Sequence, residues 1–359
     1  MIVDELRCPI VLAPLGGGPS TPELAVAVSD AGGLGFLAAA YLKAADVESR
    51  LLAARRLTSR PLGVNVFAPG AGPSDAAGYA AYVERLRGWA QHVGAPVGEP
   101  RWDDDDWDAK IELLSRAPVE VVSFTFGCPS SELIARLRAG GLEVWITVTG
   151  PEEARRATQA GADVLVVQGA EAGGHRGSFI DRPDLAAYGL LPLLDLVRTA
   201  TTLPLVASGG IATGRALAGV LAAGAVAAQI GSAFMLAPEA GTGAAHRRAL
   251  RSAGETVLTR AFTGRLARGI RNEFIDAHDA SAPIAYPEIH YLTASLRKQA
   301  REAGDPRWIN LWAGEGHELA RERPASEIVR ELTADARAAL EAAHRMPWMA
   351  ERSPGPPPA

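Results

Sequence analysis

Short apolar runs alternate with amphipathic helical patterns through the first two thirds of the 359-residue chain. The runs are rich in Val, Ile, Leu, Ala and Phe and end in glycine or polar residues, which is typical of strands buried on both faces. The predicted strands are Val11–Pro14, Gly35–Ala38, Leu62–Phe67, Val121–Phe126, Glu143–Val148, Val164–Val167, Leu205–Ala207 and Ala227–Ile230. The helical patterns between them are Pro22–Asp30, Ala44–Leu57, Ser131–Ala139, Pro151–Ala160, Leu190–Thr199 and Thr213–Ala222.

This alternation of strands and helices indicates parallel βα units. Eight such strands in a chain of this length fit an α/β fold of the (β/α)₈ TIM-barrel type. A doubly wound sheet is the alternative, but it needs a topological switch point that the spacing does not indicate. The sequence therefore predicts a TIM barrel that carries an inserted lid or substrate-binding subdomain.

Two stretches interrupt the rhythm and are expected to form an insertion and a lid at one end of the barrel. The insertion contains a helical pattern at Tyr79–His92 and the acidic run Asp103–Trp107, which we expect to be a solvated loop because adjacent carboxylates repel one another. A closing helix is expected at Ser326–His344, with Ser326 as its N-cap. The predicted division is a barrel at 1–240 with the insertion at 68–118, a lid at 241–309, a return to the barrel at 310–346, and a disordered tail at 347–359.

Composition and charge narrow the classes of function. The formal net charge is -5 and the isoelectric point is near 5.9, which argues against a broad nucleic-acid surface. Cys8 and Cys128 are the two cysteines, and they form no zinc-binding motif and no disulfide framework, which indicates a reducing compartment. Neither a signal peptide nor a run long enough to span a membrane is recognisable. We expect a cytoplasmic protein that acts on a small molecule, without a metal, a nucleic acid or a membrane as partner.

Glycine loops follow the last two predicted barrel strands, where function gathers in this fold. Gly209 and Gly210 follow the seventh strand, and Gly231 and Ser232 follow the eighth. Glycine lets backbone N–H groups approach an anion closely, and the Ser232 hydroxyl adds a donor. Tight βα turns would also explain the glycines. The functional interpretation is a phosphorylated ligand, most simply flavin mononucleotide (FMN).

Carboxamides and a histidine follow other strands at the same end of the barrel. Asn65 and Gln168 lie where apolar strands end, and their amides suit the polar edge of an isoalloxazine ring. His175 follows the sixth strand in the glycine-rich stretch VVQGAEAGGHRG. Because an imidazole ordinarily titrates near pH 6.5, His175 is the candidate general base. Among the other histidines, His246 reads as part of a surface helix, and His290 falls in the lid without a clear role.

Four stretches carry a resemblance to a known family: PIVLAPLGGGPSTPELAVAVSDAGGLGFL, PLGVNVF, VVQGAEAGGHRG and LPLVASGGIATGRALAGVLAAGAVAAQIGSAF. With them, the chain resembles the nitronate monooxygenases, formerly called 2-nitropropane dioxygenases, which are FMN-dependent (β/α)₈ enzymes. The later segments FTGRLARGIRNEF and NLWAGEG are similar to the same family. The resemblance covers most of the chain except 68–118 and the tail.

The resemblance implies that the flavin oxidises alkyl nitronates with dioxygen as acceptor, to a carbonyl compound and nitrite. It implies that His175 is the catalytic base that removes the α-proton of a neutral nitroalkane. A protonated His175, or Arg176, would instead hold the anionic nitronate. The implied FMN-binding residues are Ala13, Pro14, Leu15, Asn65, Gln168, Gly173, Gly174, Gly209, Gly210, Gln229, Ile230, Gly231 and Ser232.

The sequence departs from the family pattern at two positions. Two other functions are also considered. Leu15 stands where the family often has methionine, and Glu315 stands where glutamine is expected. A related FMN enzyme that reduces enoyl thioesters with NAD(P)H is the alternative, and HRG together with the AFTGR segment favours nitronate oxidation. A flavin-free barrel that binds or regulates is the third possibility.

Overall fold

The computed structural model describes residues 1–70 and 72–346, so the predicted tail lies outside the described residues. The strands are β1 (Ile10–Leu12), β2 (Gly35–Ala38), β3 (Leu62–Phe67), β4 (Val121–Thr125), β5 (Glu143–Val148), β6 (Val164–Gln168), β7 (Gly174–His175), β8 (Leu205–Ser208), β9 (Ala227–Ile230), β10 (Thr256–Thr259) and β11 (Ala267–Ile270). The helices are α1 (Ile2–Glu5), α2 (Pro22–Asp30), α3 (Ala44–Leu57), α4 (Ala76–Val93), α5 (Trp107–Leu114), α6 (Ser131–Ala139), α7 (Pro151–Ala160), α8 (Leu190–Arg198), α9 (Gly214–Ala222), α10 (Ala244–Arg251), α11 (Glu273–His278), α12 (Glu288–Leu292), α13 (Ala294–Ala303) and α14 (Ala325–His344).

Eight of these strands form a closed parallel barrel. Their order is β1-β9-β8-β6-β5-β4-β3-β2, and the two ends of this series meet where Leu34 pairs with β1. The N–H of Leu12 donates to the Leu34 carbonyl at 2.8 Å, and the N–H of Leu34 donates to the Ile10 carbonyl at 3.0 Å. The strands are buried on both faces, as their continuous apolar runs require. The prediction of a (β/α)₈ TIM barrel is confirmed.

The closing helix α14 packs against α9 and α2 on the outside of the barrel. Its packing on α9 is close at Gly214, where an added Cβ would lie 2.3 Å from the Cβ of Asp335. The predicted N-cap of this helix was wrong. The helix begins at Ala325 after Pro324, whose φ of -53° already suits a helix start, and Ser326 lies within the first turn.

The insertion and the lid share a second apolar core. Tyr82 and Leu86 of α4 pack with Phe262, Phe274 and further apolar side chains of α11 to α13. The Tyr82 hydroxyl donates to the Ala261 carbonyl at 2.8 Å, which joins the two segments directly. The insertion is thus covered by lid residues far away in the sequence. The four-part division of the chain remains a proposal.

The acidic run is folded against the barrel, so the prediction of a solvated loop was wrong for two of its carboxylates. Asp105 accepts the N–H of Tyr41 at 2.8 Å and pairs with the fully buried Lys110 at 2.8 Å. Asp106 accepts the N–H of Ala44 at 2.7 Å, at the start of α3. The carboxylates therefore hold the turn at Tyr41, which has a positive φ of 64°. Within residues 1–70 and 72–346 no group of three or more such side chains is arranged to hold a metal.

Over the same described ranges, none of the helices combines the length and the apolar character that a membrane crossing needs.

Candidate active site

A cavity of about 510 Å³ lies at the carboxyl ends of the barrel strands, beneath the lid. This volume is within the range of small-molecule sites. Ile230 does not line it, because its side chain is 1% exposed and packs in the barrel core. The predicted site residues that do line it are Ala13, Pro14, Leu15, Asn65, Gln168, Gly173, Gly174, His175, Gly209, Gly210, Gln229, Gly231 and Ser232. One cavity thus brings together residues from five barrel strand ends, those of β1, β3, β6, β8 and β9.

The glycine loops present free donors at one side of the cavity. The N–H groups of Gly210, Gly231 and Ser232 donate no hydrogen bond to another residue in the described part of the chain. The Ser232 Oγ accepts the N–H of Gly314 at 2.9 Å, so its own hydrogen is available to a ligand. Gly210 has a φ of 67°, which favours glycine. This concentration of donors without acceptors suits a phosphate group.

A third loop closes this side of the cavity. An added Cβ on Gly173 would lie 2.5 Å from the backbone of Ala313 and Gly314, so the two segments touch through their main chains. The Gly314 segment belongs to the C-terminal NLWAGEG stretch. Its part in the site could not be read from strand ends, because it follows no barrel strand.

Asn65 and Gln168 offer opposite hydrogen-bonding groups to the cavity. The Nδ2 of Asn65 donates to Ser123 and to the Oγ1 of Thr125 at 3.0 Å, which leaves its Oδ1 as an acceptor. The Oε1 of Gln168 accepts the N–H of Gly177 at 2.8 Å, and its Nε2 donates to the His175 carbonyl at 3.1 Å. The second hydrogen on that Nε2 remains as a donor. A heterocycle with both an N–H and a carbonyl on one edge, such as an isoalloxazine, matches this pair.

Aromatic rings surround His175 on the lid side of the cavity. The ring centroid of Trp312 lies 5.5 Å from that of His175, the Tyr286 ring 5.6 Å and the Phe126 ring 5.7 Å. Tyr41 stacks on His290 at 4.0 Å. These ring faces make the surroundings of the imidazole on this side largely apolar.

A two-residue strand holds His175, which the sequence had placed in a glycine loop. β7 pairs antiparallel with β11, with His175 opposite Ala267 and Gly174 opposite Arg268. Gly174 has a φ of 75°, which lets the chain turn from β6 into this pairing. The hydrogen bonds of an antiparallel ladder fix the backbone of His175 between the barrel and the lid.

The imidazole of His175 is neutral at ordinary pH. Burial lowers its pKa to about 3, and the cations of Arg265 and Arg297 contribute in the same direction. Its Nε2 lies 2.9 Å from the Thr263 Oγ1. A neutral imidazole carries no charge to attract an anion, which argues against the role of anion holder for His175.

Arg176 is not positioned to hold an anionic substrate, so that expectation was wrong. It does not line the cavity and is 1% exposed. Its Nη1 donates to the carbonyl of Gly169 at 2.6 Å and to that of Gln168 at 3.0 Å. The side chain instead holds the loop after β6 in place.

The charged side chains that line the cavity are two arginines, Arg297 and Arg301, and the described lining includes no Asp or Glu. His246 also lines it and was wrongly expected at the surface. Its Nε2 lies 3.0 Å from the Trp312 carbonyl, and burial lowers its pKa to about 4. The Glu315 carboxylate pairs with Arg268 at 3.0 Å.

Sequence reasoning missed the lid side of the cavity. Its lining residues there include Thr263, His290, Arg297, Asn310 and Trp312. Thr263 lies in the segment FTGRLARG and Trp312 in NLWAGEG. The resemblance of these two segments to the family was the one feature of the sequence that pointed to them. Neither segment follows a barrel strand, so no rule about strand ends assigns a role to them.

Comparison with known families gives one model that matches nearly the whole described chain. The model described as nitronate monooxygenase matches residues 3–335. A nitronate monooxygenase from Pseudomonas aeruginosa is 40% identical over 345 residues, which cover 92% of this chain and 97% of that protein. A probable nitronate monooxygenase from Staphylococcus aureus is 35% identical over 340 residues, covering 91% and 94%.

Solved structures give the same picture. A nitroalkane oxidase from Streptomyces ansochromogenes superposes with a TM-score of 0.92 at 47% identity, covering 95% of this chain and 99% of that one. FabK from Thermotoga maritima superposes with a TM-score of 0.75 at 24% identity, covering 95% and 96%. The second similarity concerns the fold alone.

His175 should not titrate in the physiological range. Nuclear magnetic resonance of ¹⁵N-labelled imidazoles should show neutral ring shifts for this residue from pH 8 down to pH 5, because burial disfavours the cation. A midpoint near the ordinary value of about 6.5 would contradict the electrostatic description of the site.

Proposed function

The chain belongs to the nitronate monooxygenase family, and from that premise we propose that it oxidises alkyl nitronates with dioxygen to a carbonyl compound and nitrite. The family assignment makes the protein an oxidoreductase. One observation carries the proposal. The free donors of the glycine loops, the Asn65 and Gln168 amides and a neutral His175 share a single cavity.

The residues present fit FMN as the cofactor. The N–H groups at Gly210, Gly231 and Ser232 would bind its phosphate, and Asn65 and Gln168 would bind the polar edge of its ring. Gly173 and Gly174 would let the backbone lie close to it. When bound, the flavin supplies the redox chemistry, accepting electrons from the nitronate and passing them to dioxygen.

His175 is the proposed proton acceptor. Its hydrogen bond with Thr263 determines the tautomer, and therefore which ring nitrogen accepts the proton. The Thr263 hydroxyl has an acceptor in the Arg265 carbonyl at 3.2 Å, so its oxygen accepts from the Nε2–H of His175. The Nδ1 is then the basic atom, and it makes no hydrogen bond to another described residue. Where the substrate is a neutral nitroalkane, we propose that this nitrogen takes its α-proton. The aromatic rings around it keep water from competing.

Replacing Ser232 with leucine should release the flavin. The change removes the hydroxyl that binds Gly314 and fills the space of the proposed phosphate, so FMN affinity should fall by about tenfold or more. The measurement is FMN retained on gel filtration and its dissociation constant by fluorescence. Ser131→Leu, on the exposed start of α6, is the matched control. Equal retention in both variants would remove Ser232 from the cofactor site.

Replacing His175 with asparagine should separate the two classes of substrate. Because asparagine takes up no proton, kcat/KM for neutral nitroethane should fall by about 10²- to 10⁴-fold. Turnover of preformed ethylnitronate, which has already lost the α-proton, should fall far less, and the flavin should stay bound. Nitrite release under air measures both reactions.

His344→Asn, on the exposed end of α14, is the control for that substitution. If His175→Asn turns over both substrates at the parent rate, His175 is not the base. If both rates fall equally while the flavin remains, the residue acts on a step that the two substrates share, and the proposed proton transfer is wrong.

A further inference from the structure

The cavity is electropositive although the chain as a whole is acidic. The formal net charge of the protein is -5, yet the described lining contains Arg297 and Arg301 and no carboxylate. Arg301 lies at an exposed position on α13. Arg297, one turn earlier, is 4% exposed. A buried guanidinium without a carboxylate is costly, so its position needs an explanation.

The hydrogen bonds of Arg297 leave part of its guanidinium free. Its Nε donates to the Thr293 Oγ1 at 3.0 Å, and its Nη2 donates to the His290 carbonyl at 2.7 Å. The same Nη2 lies 3.3 Å from the His290 Nδ1. The Nη1 has no acceptor among the described residues and is not sealed in the core. The side chain is held rigidly from one edge while the other edge faces the cavity.

Three other buried arginines of the described chain have structural partners and are not free to bind a ligand. Arg176 and Arg265 donate to backbone carbonyls and do not line the cavity, and the Arg265 guanidinium also lies 3.8 Å from the centre of the Phe126 ring. Arg268 pairs with Glu315. Arg297 is therefore the buried cation that a ligand can reach.

Arg297 also lies on the same side of the cavity as His175. It holds His290, whose ring stacks on Tyr41, and the Tyr41 hydroxyl lies 3.2 Å from that of Tyr286. Tyr286 in turn packs against His175. The glycine loops with their free N–H groups come from other strand ends and are sufficient for a phosphate, which leaves Arg297 for the substrate.

We propose that Arg297 binds the negatively charged oxygens of the substrate nitronate through Nη1 and so selects anionic nitronates over neutral nitroalkanes. This inference rests on the proposed function. A guanidinium is suited to the two oxygens of a planar anion, and its charge counts for more where water is excluded. The two residues then have separate roles, because Arg297 attracts the nitronate anion and His175 stays neutral beside it.

The test uses the flavin-loaded protein and sodium nitrate, a planar anion that cannot be oxidised at this site. Nitrate titrations, followed by the change in the visible flavin spectrum, should give a dissociation constant that rises about tenfold or more in Arg297→Gln. Arg297→Lys should fall between the two, because it keeps the charge and loses the planar fork. Lys298→Gln, which removes an exposed charge from the next position of α13, should bind nitrate like the parent.

Steady-state kinetics give a second readout. Arg297→Gln should raise KM for ethylnitronate while leaving KM for neutral nitroethane nearly unchanged. If Arg297→Gln binds nitrate as tightly as the parent, or if Arg297→Gln and Arg297→Lys both lose the flavin, the substrate assignment is wrong. In the second case Arg297 belongs to the cofactor or to the folding of the lid.

Failure of this inference is distinguishable from failure of the proposed function. A parent protein that oxidises ethylnitronate, with an Arg297→Gln variant of equal kcat/KM, keeps the function and overturns the role of Arg297. A parent that binds nitrate through Arg297 but releases no nitrite from nitronates supports the anion subsite and overturns the proposed reaction.

Discussion

The pairing of β7 with β11 is the constraint on which the site depends. Two residues, Gly174 and His175, leave the end of a barrel strand and become the edge of a small antiparallel sheet that belongs to the lid. Gln168 strengthens this junction by bonding both the His175 carbonyl and the Gly177 N–H. The imidazole is thus held by barrel and lid together. A histidine on a free glycine loop would sample many positions, and proton transfer demands one.

Electrostatics then assigns different tasks to neighbouring groups. The apolar rings and the nearby arginines keep the pKa of His175 well below its ordinary value, so the imidazole enters the reaction without a charge. Arg297, which pairs with no carboxylate of residues 1–70 and 72–346, supplies the positive charge on the same side of the cavity. An anion that binds beside His175 would oppose the effect of these arginines on the imidazole. The site is thereby matched to substrates that are anions or become anions on losing a proton.

The barrel could be predicted from the sequence because its strands are continuous apolar runs with strong boundaries. Gly35–Ala38 and Leu62–Phe67 have the predicted bounds, and most of the helices between strands begin and end where their patterns do. The cofactor side of the cavity followed for the same reason, since its residues lie at strand ends. Ile230 is the exception, since strand periodicity turns its side chain into the core.

The lid side could not be predicted, because its geometry depends on contacts between distant segments. β7 is too short to recognise and exists only where β11 pairs with it. Arg297 lies in an ordinary amphipathic helix, and nothing in the local pattern distinguishes it from the exposed Lys298 beside it. The prediction of a solvated loop at the acidic run was wrong for a related reason. Asp105 pairs with Lys110, and the burial of Lys110 depends on tertiary packing. The sequence therefore predicts the barrel strands and the site residues at their ends. The residues that face them from the lid are determined by tertiary packing.

The most direct measurement is to mix the flavin-loaded protein without oxygen, in separate experiments, with ethylnitronate and with NADPH, and then to admit air. Our account predicts that ethylnitronate bleaches the visible flavin absorbance and that nitrite appears when oxygen is present, while NADPH leaves the absorbance unchanged on the same timescale. Rapid bleaching by NADPH, with no nitrite from ethylnitronate, would contradict it and favour a reductase on the same barrel.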